Sequence, residues 1–168
     1  CVSEYIRDRF LEDIESPDLT KVHKVFNAIH PQTVDCTSKS NNILYVGRIQ
    51  PNKGVLNLAK ALTKLLPKHP DWKVGFVGSS KHGNFSLTTF EKEVIQSLEP
   101  IKSQVEWHGQ LPHTKVCDLY SCSSIVVAPS ICNEAFCLVA LEAMVHKCAF
   151  VGSGSGGMTE VMGNHALY

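Results

Sequence analysis

Residues 43–54 read ILYVGRIQPNKG, a short apolar run that ends at a glycine and continues into a basic loop. The run Ile43–Val46 is typical of a buried strand, and Gly47 allows the backbone to turn tightly at its end. The next stretch, Lys53–Leu66, repeats apolar residues every three or four positions and stops at Pro67, which is typical of an amphipathic helix. The segment therefore predicts a strand, a loop and a helix, which form one unit of an α/β fold.

The same alternation continues along the rest of the chain. Repeated strand, crossover helix and strand indicates a parallel sheet with helices on both faces, so we predict an α/β fold with a Rossmann-like, doubly wound parallel sheet. The predicted strands are Lys73–Val77, Gln104–Trp107, Ile125–Ala128, Cys148–Val151 and a short one at Ala166–Tyr168, and the predicted helices are Thr88–Leu98, Pro112–Ser121, Ala135–His146 and Met158–Met162.

Upstream of residue 43 the pattern changes. The first twenty residues read as a charged helix, Val22–Phe26 as a strand, and residues 27–42 are polar and rich in turn residues. We predict that residues 1–26 are the remnant of a preceding domain with its connecting strand, that 27–42 are a linker, and that 43–168 form the main domain. Because the chain begins with Cys1 and not with Met, we expect it to be a fragment.

Composition argues against two classes of protein. Lys plus Arg and Asp plus Glu both number 16, so there is no excess of positive charge for sequence-independent binding of nucleic acid. No apolar run approaches the roughly 18 residues that a membrane span requires. The seven cysteines lack the tight spacing of zinc sites, so we expect reduced, mostly buried thiols, no metal and a reducing cytosol.

Candidate functional residues lie on the loops after the predicted strands, because open α/β sheets bind ligands beyond the carboxyl ends of their strands. After Val46, the loop carries Arg48 and Lys53. Arg offers a planar fork for phosphate oxygens and Lys a compact charge, a pair suited to a diphosphate. The alternative is that both are solvated surface cations. The other informative loops follow Val77, Ala128 and Val151.

The loop after Ala128 leads into the stretch SICNEAFCLVALEA, residues 130–143. A helix predicted to begin near Glu134 would leave free N–H groups around Ala135–Leu138, which is a ready anion site. Glu142, about two turns further on, is acidic in an apolar stretch and needs a partner. It could bind the hydroxyls of a ribose, or it could be a solvated residue on the outer edge of the helix.

Taken together, these segments resemble glycosyltransferase family 4. EAFCLVALEAM, residues 134–144, is similar to the E-x7-E signature of that family, and ILYVGRIQPNKG is similar to its strand-Gly-Arg…Lys-Gly loop. KVFNAIH resembles the strand that enters the carboxyl-terminal domain, and CAFV with GSGSGGMTE continues the similarity. The resemblance runs from Lys24 to Gly163 with the motifs in order.

The resemblance implies one half of a GT-B enzyme, which has two Rossmann-like domains with the active site in the cleft between them. Residues 43–168 would bind a nucleotide-diphosphate sugar, UDP- or GDP-linked, and no other cofactor. The enzyme would transfer the sugar, with retention and without a metal, to a hydroxyl of a saccharide or glycolipid. The missing amino-terminal domain would complete the cleft and could associate with a membrane, so we expect a location in the cytoplasm or at the cytoplasmic face of a membrane. The isolated fragment is expected to be inactive.

Residue roles follow from the resemblance by position. Arg48 and Lys53 would hold the diphosphate and stabilise the leaving group, which is electrostatic catalysis. Glu134 would lie against the transferred sugar and complete the catalytic set. The donor-binding residues would be Gly47, the ribose-binding Glu142, and Phe136, Cys137 and Leu138 through their backbone amides.

The chain departs from the family pattern at two places. Cys137 stands where the family usually has Gly, and His146–Ala149 stands where a Gly and a Pro are common. Histidines at 30, 108 and 113, and the loop Gly78–Phe85 with Lys81 and His82, could also lie near the cleft, but we predict no catalytic role for any histidine.

Two other functions fit parts of the sequence. Gly152, Gly154 and Gly157 satisfy G-x-G-x-x-G after a predicted strand, which is the pattern of an NAD-binding oxidoreductase domain. The chain could also be a non-catalytic nucleotide-binding domain of the same fold. Retention of both cations and both glutamates argues against the second alternative.

Overall fold

The structure, a computed structural model, describes residues 1–15, 17–29, 38–80 and 87–163. Within them the chain alternates strands and helices, as the sequence predicts. The strands are β1 (Ser40–Val46), β2 (Lys73–Val77), β3 (Val105–Gly109), β4 (Ser123–Ala128) and β5 (Ala149–Gly152), and the helices are α1 (Glu4–Glu12), α2 (Val55–Leu65), α3 (Thr89–Ser97), α4 (His113–Cys122), α5 (Leu138–Val145) and α6 (Met158–Met162).

The strands form one parallel sheet in the order β3-β2-β1-β4-β5. Strand β1 lies at the centre, where Leu44 is paired with Gly75 of β2 on one side and Val126 of β4 on the other. The order reverses between β1 and β4, and such a switch point leaves a crevice at the carboxyl ends of the two strands. The predicted Rossmann-like α/β fold is confirmed.

Helices cover both faces of the sheet. Neighbouring residues of a strand point to opposite faces. Tyr45 accordingly packs in the core with α2 and α3, whereas Leu44 packs in the core with α4, α5 and α6. Among residues 1–15, 17–29, 38–80 and 87–163, no helix combines the length and the apolar character needed to cross a bilayer.

The upstream segment differs from its prediction. Val22–Phe26 forms no strand, although Val25 N donates to the Cys1 carbonyl over 2.8 Å. Val25 and Phe26 are 71% and 50% exposed, so their apolar character does not reflect a place in the sheet. Strand β1 begins at Ser40, inside the range predicted as linker. The predicted strand Ala166–Tyr168 lies outside the described residues.

Helix α5 begins at Leu138, three residues later than predicted. Cys137 precedes it with φ 79° and ψ 74°, a left-handed conformation that cannot continue a right-handed helix. Glu142 is therefore only about one turn inside the helix. Past the other end, Lys147 has φ 57°, the conformation that favours glycine after a helix. The two departures from the family pattern thus include both of these left-handed positions.

The loops after β1 and β4 are in direct contact. Gly54, with φ 67°, lies so close to the loop after β4 that a Cβ built on it would stand 1.8 Å from the Pro129 carbonyl oxygen. The Asn52 carbonyl accepts hydrogen bonds from the amides of Ile131 and Cys132, at 2.9 and 3.2 Å. The backbone thereby holds the two loops at the switch point together.

Gly54→Ala should lower the free energy of unfolding by about 3 kcal/mol or more, because its Cβ fits only if the two loops separate. Gly109→Ala is the matched control, since Gly109 has a similar φ of 62° and a Cβ built on it would meet nothing within 4 Å. The control should lose only about 1 kcal/mol, the cost of the backbone conformation. Urea unfolding measures both, and equal losses would contradict the steric explanation.

Candidate active site

A cavity of about 320 Å³ opens at the carboxyl ends of β1 and β4. The loops after these two strands and the amino-terminal end of α5 form most of its wall. Val2 and Asn27, which the sequence analysis did not select, contribute to the wall from the amino-terminal segment. The predicted residues that line it are Gly47, Lys53, Glu134, Phe136, Cys137 and Leu138.

Lys53 and Glu134 form an ion pair inside this cavity. Lys53 Nζ donates to Glu134 Oε1 over 2.6 Å, and the two side chains are 19% and 16% exposed. Ser130 Oγ donates to the same carboxylate oxygen. An ammonium group has three N–H donors, so Lys53 can bind an anion while it remains paired with Glu134. The two residues lie on separate loops, 81 positions apart in the sequence, and the fold brings them into contact.

Packing against the Gly-rich turn after β5 fixes the backbone of Glu134. Gly157 N donates to the Glu134 carbonyl over 2.7 Å, and the backbones of Glu134 and Gly156 form an isolated parallel β-bridge. A Cβ on Gly157 would stand 2.3 Å from the Ala135 carbonyl oxygen, and one on Gly152 would stand 2.8 Å from Met158 Sδ. Gly152 and Gly157, two of the three glycines in the G-x-G-x-x-G pattern of the dinucleotide alternative, are therefore packed against atoms of the protein itself.

Arg48, the other cation predicted to bind a diphosphate, lines an adjacent cavity of about 240 Å³, which shares Val46 and Gly47 with the first cavity. The Tyr45 hydroxyl donates to the Arg48 carbonyl over 2.7 Å and thereby ties the loop after β1 to the strand. Burial, and to a smaller extent the charge of Glu134, raises the pKa of Tyr45, so its hydroxyl remains a donor at neutral pH. Within the described part of the chain, the Arg48 guanidinium has no ion pair.

The turn that leads into α5 forms a further part of the cavity wall. The backbone amides of Phe136, Cys137 and Leu138 donate to no acceptor among the described residues, and Phe136 is buried against Phe26, with ring centroids 5.8 Å apart. Burial raises the pKa of the Cys137 thiol to about 11, so the thiol is neutral at physiological pH. These amides leave unsatisfied donors at the cavity.

Glu142 is not among the residues that line the cavity. Its Oε2 accepts from the Tyr120 hydroxyl over 2.8 Å, and its Oε1 lies 2.9 Å from His113 Nε2. We predicted no catalytic role for His113 from the sequence, and the structure places it on the carboxylate of Glu142. No local pattern indicates the contact, because it joins α4 to α5 across 29 positions of the chain.

A buried carboxylate, Glu91, holds the loop after β2. It accepts from the amides of Ser80 and Thr88 over 2.9 and 2.8 Å. Burial raises the pKa of Glu91, but these hydrogen bonds and those from the Thr88 and Ser79 hydroxyls together outweigh it and lower the pKa below its usual value. The T-x-x-E spacing of a capping box could have identified Glu91. His30, Lys81 and His82 lie outside the described residues.

A parallel sheet with this strand order and a cavity at its switch point defines the class of the domain, which is Rossmann-like α/β. Residues 29–166 match the model of a family described as glycosyl transferases group 1. The chain belongs to this family.

Relatives agree with this assignment. The chain is 30% identical over 132 residues to the lipopolysaccharide 1,2-N-acetylglucosaminetransferase of Salmonella typhimurium, a match that covers 77% of this chain and 34% of that protein. A glycosyltransferase from Rickettsia africae is similar at a TM-score of 0.78 and 26% identity, over 97% of this chain and 46% of that one. HepE of Anabaena, crystallised with UDP and glucose, has the same fold at a TM-score of 0.76 and 19% identity, over 95% of this chain and 45% of that one. The chain thus spans less than half the length of these proteins.

The left-handed backbone of Cys137 reverses the usual stability order of alanine and glycine. Cys137→Gly should be more stable than Cys137→Ala by about 1 kcal/mol, because only glycine adopts this φ without strain. At Cys122, the last residue of α4, alanine should be the more stable by about 0.5–1 kcal/mol. Denaturant unfolding of the four variants measures both differences, and the same order at both positions would contradict the assigned backbone.

Proposed function

We propose that the chain binds the donor of a glycosyl transfer, a nucleotide-diphosphate sugar, in the cavity between the loops after β1 and β4. The observation that carries the proposal is the half-buried Lys53–Glu134 pair beside the free amides of Phe136–Leu138. A cation and uncommitted N–H groups together suit an anionic ligand. The adjoining carboxylate suits the hydroxyls of a sugar.

In this proposal Lys53 and Arg48 bind the diphosphate from the two adjoining cavities, with Gly47 between them. Charge that develops on the departing diphosphate is stabilised by fixed cations and amides, which need no reorganisation during the reaction. No metal and no further cofactor take part, because the two cations and the amide groups supply the positive charge. Glu134 lies against the transferred sugar, and Glu142 binds the ribose.

The reaction we propose is transfer to a hydroxyl of a saccharide or glycolipid with retention at the anomeric carbon. The transfer of a sugar is supported by the names of relatives, among them the acetylglucosaminetransferase of Salmonella and a lipopolysaccharide core mannosyltransferase of Rhizobium leguminosarum. HepE, which shares the fold, was crystallised with UDP. The acceptor would bind to the other domain of a GT-B enzyme. Inactivity of the chain alone, a cytoplasmic location and contact with a membrane through the other domain stay predictions.

Lys53→Ala should weaken binding of a nucleoside diphosphate at least tenfold, a loss of about 1.4 kcal/mol, because it removes a cation and leaves Glu134 as an unpaired negative charge. Lys60→Ala is the control, since Lys60 is exposed on the same helix that follows this loop. Calorimetric titration with UDP, GDP, ADP and NAD measures the effect.

Two results would overturn the proposal. One is binding of NAD without binding of any nucleoside diphosphate, which would favour the dinucleotide alternative. The other is an equal affinity of the Lys53→Ala and Lys60→Ala variants for the nucleotide that binds, which would remove Lys53 from the site.

A further inference from the structure

A polar cluster joins α4 to α5 beside the cavity. The Glu142 carboxylate is its centre, held at one oxygen by the Tyr120 hydroxyl over 2.8 Å and approached at the other by His113 Nε2 at 2.9 Å. Side-chain exposure is 16% for Glu142 and 63% for His113. The proposed donor contacts leave His113 and Tyr120 without a role.

Glu142 lies one turn beyond the end of α5 that borders the cavity. Leu138, one turn earlier in α5, lines the cavity, and residues four apart lie on the same face of a helix. Cys137 also lines the cavity. Burial is the main cause that raises the pKa of the Cys137 thiol, and the charges of Glu134 and Glu142 raise this pKa further. Glu142 is therefore close to the wall of the cavity without forming part of it.

Among the described residues, Tyr120 and His113 leave two lone-pair positions of the carboxylate open. An ionised carboxylate has about four acceptor positions, two on each oxygen. Tyr120 occupies one on Oε2 and His113 one on Oε1, so each oxygen can accept one more hydrogen bond. The two vicinal hydroxyls of a ribose are a pair of donors that matches this arrangement.

The supports of Glu142 are themselves fixed. Tyr120 is fully buried and its ring lies 5.3 Å from that of His146, whose Nδ1 is 2.8 Å from the Glu142 carbonyl. Burial, followed by the charge of Glu142, raises the pKa of Tyr120, so the phenol remains a donor. On the far side of the His113 ring, Nδ1 lies 3.7 Å from Cys117 Sγ.

We propose that His113 and Tyr120 are positioning residues that orient the Glu142 carboxylate toward the ribose of the bound nucleotide, and that this cluster sets a preference for ribonucleotides over 2′-deoxyribonucleotides. The inference rests on the proposed function, since it needs a nucleotide in the cavity. Preorganisation is the physical reason: a carboxylate held by two partners loses no freedom when the hydroxyls arrive. A cluster that only ties α4 to α5 would affect stability but not this preference.

The test measures dissociation constants of the 168-residue chain for UDP and 2′-deoxy-UDP, and for GDP and 2′-deoxy-GDP, by calorimetry. The readout is the ratio of the deoxy to the ribo constant, which is insensitive to a general loss of folded protein. His113→Ala and Tyr120→Phe should each reduce this ratio about three- to tenfold, or about 0.7–1.4 kcal/mol, because a less firmly oriented Glu142 carboxylate binds the 2′-hydroxyl more weakly. His113→Gln, whose side-chain amide can take the place of Nε2, should restore most of the ratio. Lys115→Ala, an exposed position of the same helix, should leave it unchanged.

Thermal unfolding of each variant confirms that it is folded, and His113, being largely exposed, can be replaced without leaving a cavity in the core. If the parent chain binds the nucleotides but His113→Ala and Tyr120→Phe keep its ratio, the inference is overturned and the proposed function stands. A His113→Gln variant that behaves like His113→Ala would likewise overturn the role assigned to Nε2. If the parent chain binds none of the four nucleotides, both proposals fail.

Discussion

The close approach of the loops after β1 and β4 is the constraint on which the rest of the site depends. Gly54 has no room for a side chain against the Pro129 carbonyl, and Asn52 accepts two hydrogen bonds from the facing loop. Only because the backbones meet here can Lys53 reach Glu134 at 2.6 Å. The geometry of the site is thus a consequence of backbone packing at the switch point of the sheet.

Electrostatic balance is the second feature of the site. Partly buried charges are costly unless they are paired, and Lys53 and Glu134 satisfy each other while each remains open to the cavity. Glu142 is satisfied in the same way by Tyr120 and His113. Each carboxylate of the E-x7-E segment therefore has a protein partner on another element, and neither depends on a ligand for its stability in the fold.

Backbone conformation explains residue choices that composition does not. Cys137 and Lys147, at the two ends of α5, both have positive φ. Cys137 stands where the resemblance to the family leads us to expect Gly, and Lys147 lies in the segment where it leads us to expect a Gly and a Pro. At Cys137 the strain lies in the wall of the cavity, where the amides of Phe136, Cys137 and Leu138 have no acceptor among the described residues. A larger side chain than cysteine would enter the cavity itself, which is a steric reason for a small residue there.

Much of the fold could be predicted because hydrophobic periodicity reports directly on burial. The strand Lys73–Val77 and the helix Met158–Met162 have the predicted bounds. The predicted strand Val22–Phe26 was wrong, because the apolar residues of an exposed segment give the same sequence pattern as a buried strand. Four residues of the candidate site could be predicted from the sequence: Arg48, Lys53, Glu134 and Glu142. Arg48, Lys53 and Glu134 lie on loops that follow strands, and Glu142 is a charged residue in an apolar stretch, where a charge needs a partner.

The sequence by itself determined the α/β alternation, the loops that carry the charges and the family resemblance, because these depend on local periodicity and on the order of motifs. Only the tertiary structure decided which charges meet. It paired Lys53 with Glu134 and His113 with Glu142, and it delayed the start of α5 to Leu138. The physical reason is that such contacts depend on strand order and on a single left-handed residue, and hydrophobic periodicity along the chain encodes neither.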